Sequence, residues 1–107
     1  MDRVGMLRFC EDALAHYGPT AQAEKAVEEL LELRDSLINL RGFEVLVNTP
    51  MLAAIAGRPA ARKAVIDEIA DVIIMVEQMR IAFGAKAVDE RIAFKIERQR
   101  QRMQEGE

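Results

Sequence analysis

Ile69-Ala70-Asp71-Val72-Ile73-Ile74-Met75-Val76 is an almost unbroken apolar run with one carboxylate inside it, and Glu68 lies one helical turn before that acid. Placed at about 100° per residue, Val65, Ile66, Ile69, Val72, Ile73, Ile74, Val76 and Met79 spread around most of the circumference of a helix. The pattern therefore predicts a central helix enclosed on most sides. Its exception is a narrow acidic strip in which Asp67, Glu68 and Asp71 lie within roughly 100° of one another. Pro59 opens this helix and Gly84 closes it. An acid in such a setting needs a cation, a hydrogen-bond donor or a change of protonation to offset its desolvation. Asp71 is thus the first residue whose presence calls for a function.

Outward from this helix, the punctuation predicts an all-α chain. Val4, Leu7, Cys10, Leu14 and Tyr17 recur at helical spacing over residues 2–17. Gly18-Pro19 breaks the pattern, and Thr20 is placed to cap a helix running from about 21 to 41, with Gly42 as its stop. Phe43, Val45 and Val47 alternate, but a lone strand has nothing to pair with, so an extended connector is expected. Thr49-Pro50 then resembles a cap and first-turn proline for a short helix over residues 51–56. A last helix, about 86 to 104, carries Val88, Ile92 and Ile96 on one side. The expected architecture is a single four-helix-bundle-like domain spanning 1–107.

Composition bounds the function classes. The chain has 107 residues, half of them hydrophobic, with a formal net charge of -3. That charge argues against a general nucleic-acid binder. No apolar stretch is long enough to cross a membrane, and the scattered charges Asp2, Arg3 and Arg8 leave no secretory h-region. Cys10 alone cannot form an internal disulfide, as expected of a cytoplasmic protein, and reads as a small buried hydrophobe. A small core makes association of subunits the expectation.

The helix over 21–41 holds a second acidic pair. Gln22, Lys25, Glu29, Glu32 and Ser36 fall on one stripe, while Val27, Leu30, Leu31, Leu37 and Ile38 lie toward the other side. Glu29/Glu32 repeats the three-residue spacing of Glu68/Asp71, which projects both carboxylates of a pair toward one point. Two such pairs on antiparallel helices can supply the all-oxygen surroundings of a hard divalent cation. Without a cation, like charges so close raise one another's pKa. His16 lies outside both pairs, so the histidine-containing sets used by di-iron and zinc sites are missing. Mg²⁺, or Mn²⁺ in its place, is the remaining reading, and Mg²⁺ sites are commonly completed by substrate phosphates. Arg91, Lys95, Arg98 and Arg102 form a basic stripe on the last helix that could meet phosphates or a partner's acids. Plainer readings stand beside these. Glu29/Glu32 can be a solvated face, Lys25 or an arginine can satisfy Glu68/Asp71, and the basic stripe can be ordinary surface.

Taken together, Glu28-Glu29-Leu30-Leu31-Glu32 followed by Glu68-Ile69-Ala70-Asp71 resembles the Glu-Glu-x-x-Glu and Glu-x-x-Asp signature of the MazG-type all-α nucleoside triphosphate pyrophosphohydrolases. Tyr17-Gly18, Gln22 and Lys25 ahead of the first element, and Lys95-Ile96-Glu97-Arg98 in the last helix, extend the resemblance over roughly residues 14–42 and 62–103. The connector is longer than is usual in that family, and 43–58 carries none of its motifs. The resemblance implies Mg²⁺ bound by Glu29, Glu32, Glu68 and Asp71, with Glu28 supporting the site or activating water. It further implies that Lys25, Lys95 and Arg98 neutralise a triphosphate. The implied reaction is attack of water on the α-phosphorus of a nucleoside triphosphate or its deoxy form, releasing pyrophosphate and a monophosphate, in a homodimer or homotetramer. Phosphoribosyl-ATP or dUTP as substrate would use the same site. Phe9, Tyr17 or Phe43 would contribute to base recognition. The competing expectation is a non-catalytic helical oligomer or adaptor held by its acidic and basic faces.

Overall fold

The computed structural model describes residues 1–41 and 59–106, with side chains in the first segment described through Ile38. Gly42, the expected connector 43–58 with its short helix, and Phe43 lie outside the described residues. Within them, four helices follow in order: α1 (Arg3–Tyr17), α2 (Pro19–Arg41), α3 (Pro59–Phe83) and α4 (Ala85–Gln104). The all-α expectation agrees with this. None of these helices is long and apolar enough to cross a membrane.

Local chemistry sets the helix ends. Asp2 caps α1 by accepting a hydrogen bond from the Gly5 amide at 2.7 Å. Gly18 ends it at φ +89°, where a side chain would be strained, and donates its amide to the Leu14 carbonyl at 2.9 Å. The Gly18 carbonyl then accepts from the Gln22 amide at 3.1 Å. One glycine therefore closes α1 and opens α2. This displaces the expected cap at Thr20, because Pro19 occupies the first helical position, where its missing amide costs nothing. Gly84 at φ +114° does the same between α3 and α4, donating to the Arg80 carbonyl and accepting from the Val88 amide.

The α2/α3 pair forms the main packing surface, with α1 laid on α3. Cys10, Ala13, Ala26, Val65 and Met75 are its buried apolar residues. Cys10 is the expected buried small hydrophobe. Its Sγ approaches the Ile74 carbonyl at 3.7 Å, and burial, with the nearby Glu77 charge, pushes the thiol up against the lowering effect of Arg3.

The expected enclosure of α3 is corrected, and α2 packs by the stripe that holds its acids. The α2 stripe that packs inward is the polar one, with Gln22, Ala26 and Glu29 buried, while Val27, Leu30, Leu31 and Ile38 stay exposed. The α3 helix is not enclosed on most sides within one chain, since Ile66, Ile69, Ile73 and Val76 keep 42–49% of their surface. Periodicity identifies an apolar face without saying what covers it. The four described helices do not cover both faces. Val4 and Tyr17, expected on the inner stripe of α1, are likewise exposed. The Cα radius of gyration is 17.0 Å, against about 13 Å for a compact domain of this size.

An ion-pair chain that sequence spacing did not reveal ties three helices together. Arg3 donates to both oxygens of Glu77 at 3.1 and 3.3 Å; Arg80 donates to Glu77 at 3.1 Å and to both oxygens of Asp89 at 3.1 Å. Burial acts to raise the Glu77 pKa, but hydrogen bonds from Arg80 and Arg3 outweigh it and hold the carboxyl below its ordinary value. The sign follows from linkage. A depressed folded-state pKa contributes stability above the unfolded value near 4.3 and loses it as pH falls through the folded value. Glu77→Gln is expected to cost about 1–2 kcal/mol at neutral pH, with the half-exposed Arg3 contributing little. Urea melts should show the gap between variant and wild type closing as pH is lowered below about 4. A gap independent of pH would contradict the assignment.

Candidate metal centre

The contact between α2 and α3 runs antiparallel, since Gln22 meets Gln78 while Glu29 meets Glu68 and Asp71. That direction brings the two acidic pairs to one level, as their spacing requires. Glu29, Glu68 and Asp71 each offer a carboxylate oxygen, and these atoms lie within 4.8 Å of one another. Glu29 retains only 6% of its surface, and Glu68 is half-buried. The Oε2 atoms of both Glu29 and Glu68 are buried without a hydrogen-bond partner. Orphaned buried carboxylate oxygens are rare because their desolvation is uncompensated.

Asp71 itself is exposed. The acid that most needs compensation is therefore Glu29, not Asp71 as the apolar run suggested. The mismatch has a physical origin: Ile69, Ile73 and Val76 in the run around Asp71 are apolar but stay exposed, while Met75 alone of the run is buried.

Glu32, the fourth expected ligand, is exposed and falls outside the mutual set of three. It still senses the cluster. Glu29, by direct carboxylate contact and by charge, followed by desolvation and Glu68, pushes the Glu32 carboxyl upward. Lys25 supplies the local cation, with Nζ 3.1 Å from Glu29 Oε1 and 3.6 Å from Glu28 Oε2. Its hydrogen bond to Glu29 and the Glu29 charge raise the ammonium's pKa. Lys25 engages Oε1, so the Glu29 Oε2 atom remains unsatisfied. Glu28 is exposed beside it rather than part of the carboxylate cluster. Lys95 and Arg98 meet no carboxylate within ion-pair distance among the described residues; Arg98 instead lies 5.8 Å from the Phe94 ring centroid.

Next to Lys25 and Glu28 is a cavity of about 460 Å³ walled by Phe9, Tyr17, Gln22, Met75 and Gln78. Phe9 and Tyr17 are exposed because they stand at this opening rather than in the core. At its floor, Gln22 Nε2 donates to Gln78 Oε1 at 2.6 Å, and both side chains are buried. Gln78 gave no sequence signal, since a glutamine in a helix is unremarkable until its partner is known. Gln22 was legible on the polar stripe of α2 and again through the resemblance.

No family model, curated protein or solved structure matches this chain. The reading of this centre rests on its own geometry and on the motif order already described.

Proposed function

We propose that this chain is a Mg²⁺-dependent nucleoside triphosphate pyrophosphohydrolase, cleaving between the α- and β-phosphates to give a nucleoside monophosphate and pyrophosphate. The observation that carries the reading is the pair of buried, partnerless oxygens of Glu29 and Glu68 within a three-carboxylate cluster. A divalent cation offsets both the desolvation and the mutual repulsion, and an all-oxygen donor set suits Mg²⁺ or Mn²⁺. Glu29, Glu68 and Asp71 would hold the ion, with Glu32 completing the set from the adjacent turn. When bound, Mg²⁺ supplies Lewis acidity that lowers the pKa of water and stabilises charge on phosphoryl oxygens.

The chain's own groups have distinct roles. Glu28, exposed at the rim and bridged to Lys25, is placed to take a proton from attacking water. Lys25, whose ammonium form is reinforced by Glu29, neutralises phosphate oxygens. The neighbouring cavity offers aromatic edges and a carboxamide pair to the rest of the nucleotide. The outward apolar faces of α2 and α3 favour a homodimer or homotetramer, and a free, acidic, cytoplasmic enzyme suits this substrate class.

Incubation with Mg²⁺ and a panel of canonical, oxidised and deoxy nucleoside triphosphates is expected to release pyrophosphate from at least one of them. Absence of turnover across the panel would overturn the enzyme reading. The same exposed faces favour the second reading, a non-catalytic oligomer joined by acid-base contacts. High salt would then dissociate it, and Mg²⁺ would not raise its melting temperature.

A further inference from the structure

We propose that the cavity beside the carboxylate centre takes a guanine-type base, with the Glu24 carboxylate accepting from its two adjacent N–H groups and Tyr17 covering its ring. That the occupant is a nucleotide rests on the proposed function, whereas the choice of base rests on the wall of the cavity.

Glu24 is singled out by what the other polar groups around it already do. Two carboxylates, Glu24 and Glu28, stand in the wall one turn apart on α2. Glu28 faces the Lys25 ammonium at 3.6 Å, and the same ammonium holds Glu29 at 3.1 Å. Glu24 has no hydrogen bond or ion pair among the described residues. At the floor, Gln22 is tied to Gln78 at 2.6 Å, and Gln78 Nε2 is turned to the Met75 sulfur at 3.8 Å. A carboxamide carries both a donor and an acceptor, so it can meet the edge of any base and selects none. A carboxylate only accepts. Glu24 is therefore the discriminating group.

What it selects follows from the arrangement of donors. Two carboxylate oxygens side by side match two parallel N–H donors, the geometry of a bidentate contact. Among the common bases only guanine has such a pair, N1–H and the N2 amino group on one edge. Adenine and cytosine place a ring-nitrogen acceptor beside their amino group, and uracil and thymine flank one N–H with two carbonyls. Each of these sets an acceptor against the carboxylate, so Glu24 rejects them as well as choosing guanine.

Shape and position agree. Tyr17 is 63% exposed, yet its ring is held edge-to-face by His16 at 4.6 Å, which fixes an aromatic surface at the cavity before a ligand arrives. Ala13 of α1 and Ala21 of α2 also line the cavity, and their small side chains leave width for a flat ring. Glu24 lies five residues before Glu29, about 7.5 Å along α2, with Lys25 and Glu28 between. A nucleotide laid along this wall carries its base at Glu24 and its phosphates at Lys25, nearest the carboxylate centre.

Calorimetric titration with nucleoside monophosphates, Mg²⁺ present, tests the base site without needing turnover. Guanosine monophosphate is expected to bind wild type about 10- to 100-fold more tightly than inosine monophosphate, which differs only by the missing N2 amino group, and than adenosine monophosphate. Glu24→Gln should remove the guanosine-over-inosine preference while melting like wild type, because Glu24 is exposed and unpartnered among the described residues. Tyr17→Ala should weaken guanosine and inosine monophosphates alike, since stacking reads a ring and not its edge. Equal affinity of wild type for those two, a preference that survives Glu24→Gln, or no binding of any monophosphate would overturn the inference. Pyrophosphate release from the triphosphate panel is read in parallel. A guanine preference in binding with no turnover would overturn the proposed function and leave the base site standing; turnover with no such preference would do the reverse.

Discussion

Asp71→Asn is expected to leave the fold intact and reduce Mg²⁺-dependent turnover by more than about a hundredfold. Groups that merely orient metal ligands are worth about 10- to 100-fold, so a ligand should be worth at least the upper figure. The fold should tolerate the change because Asp71 is exposed and makes no hydrogen bond or ion pair among the described residues. Isosteric surface changes of that kind usually stay within about 0.5 kcal/mol. A second readout separates lost binding from lost chemistry. Mg²⁺ at about 100 times its dissociation constant would add about 2.7 kcal/mol to wild type. For a domain of this size that is roughly 10–20 °C in Tm. Asp71→Asn should lose most of this increment, and Glu68→Gln should behave likewise. Equal Mg²⁺-induced shifts in all three proteins would contradict the ligand assignment.

The second large effect concerns stability. Gln78→Ala is expected to destabilise by about 2–4 kcal/mol, since it removes a side chain with 1% exposure and leaves the buried Gln22 amide without its acceptor. The double replacement Gln22→Leu/Gln78→Met should cost much less than the sum of its two single changes. Exchanging both members of a buried polar pair for apolar groups of similar shape leaves no orphan. Chemical melts of the two single variants and the double variant make the cycle, and simple additivity would show that the 2.6 Å hydrogen bond carries no coupling. Because the pair also floors the cavity, the double variant is expected to fold and to lose affinity for any ligand recognised there.

Much of this architecture was legible in the sequence, for identifiable reasons. Pro59 and Gly84 mark α3 because a proline can begin a helix and a glycine can end it with positive φ. The three-residue spacing of Glu68 and Asp71 put them on one face, and antiparallel packing with α2 then brought them to Glu29. What spacing could not supply was the identity of each face's partner. The α2 stripe with fewer apolar residues is the one packed inside, where Gln22 bonds Gln78 and Glu29 faces the Glu68 and Asp71 carboxylates, while Leu30 and Leu31 stay exposed. The Arg3–Glu77–Arg80–Asp89 chain joins residues on three helices, and its first contact spans 74 positions, a separation that no local pattern encodes. Lys95 and Arg98 were legible as cations on one stripe, but spacing could not say that neither meets a carboxylate within ion-pair distance among the described residues.

The most direct test of the central claim is pyrophosphate release by wild type and Asp71→Asn across the nucleotide panel, with Mg²⁺ and with Mg²⁺ chelated. The account predicts release by wild type with Mg²⁺ from at least one triphosphate, and loss of that release on chelation or in Asp71→Asn. Release that survives both chelation and the substitution, or none from any triphosphate, would contradict it.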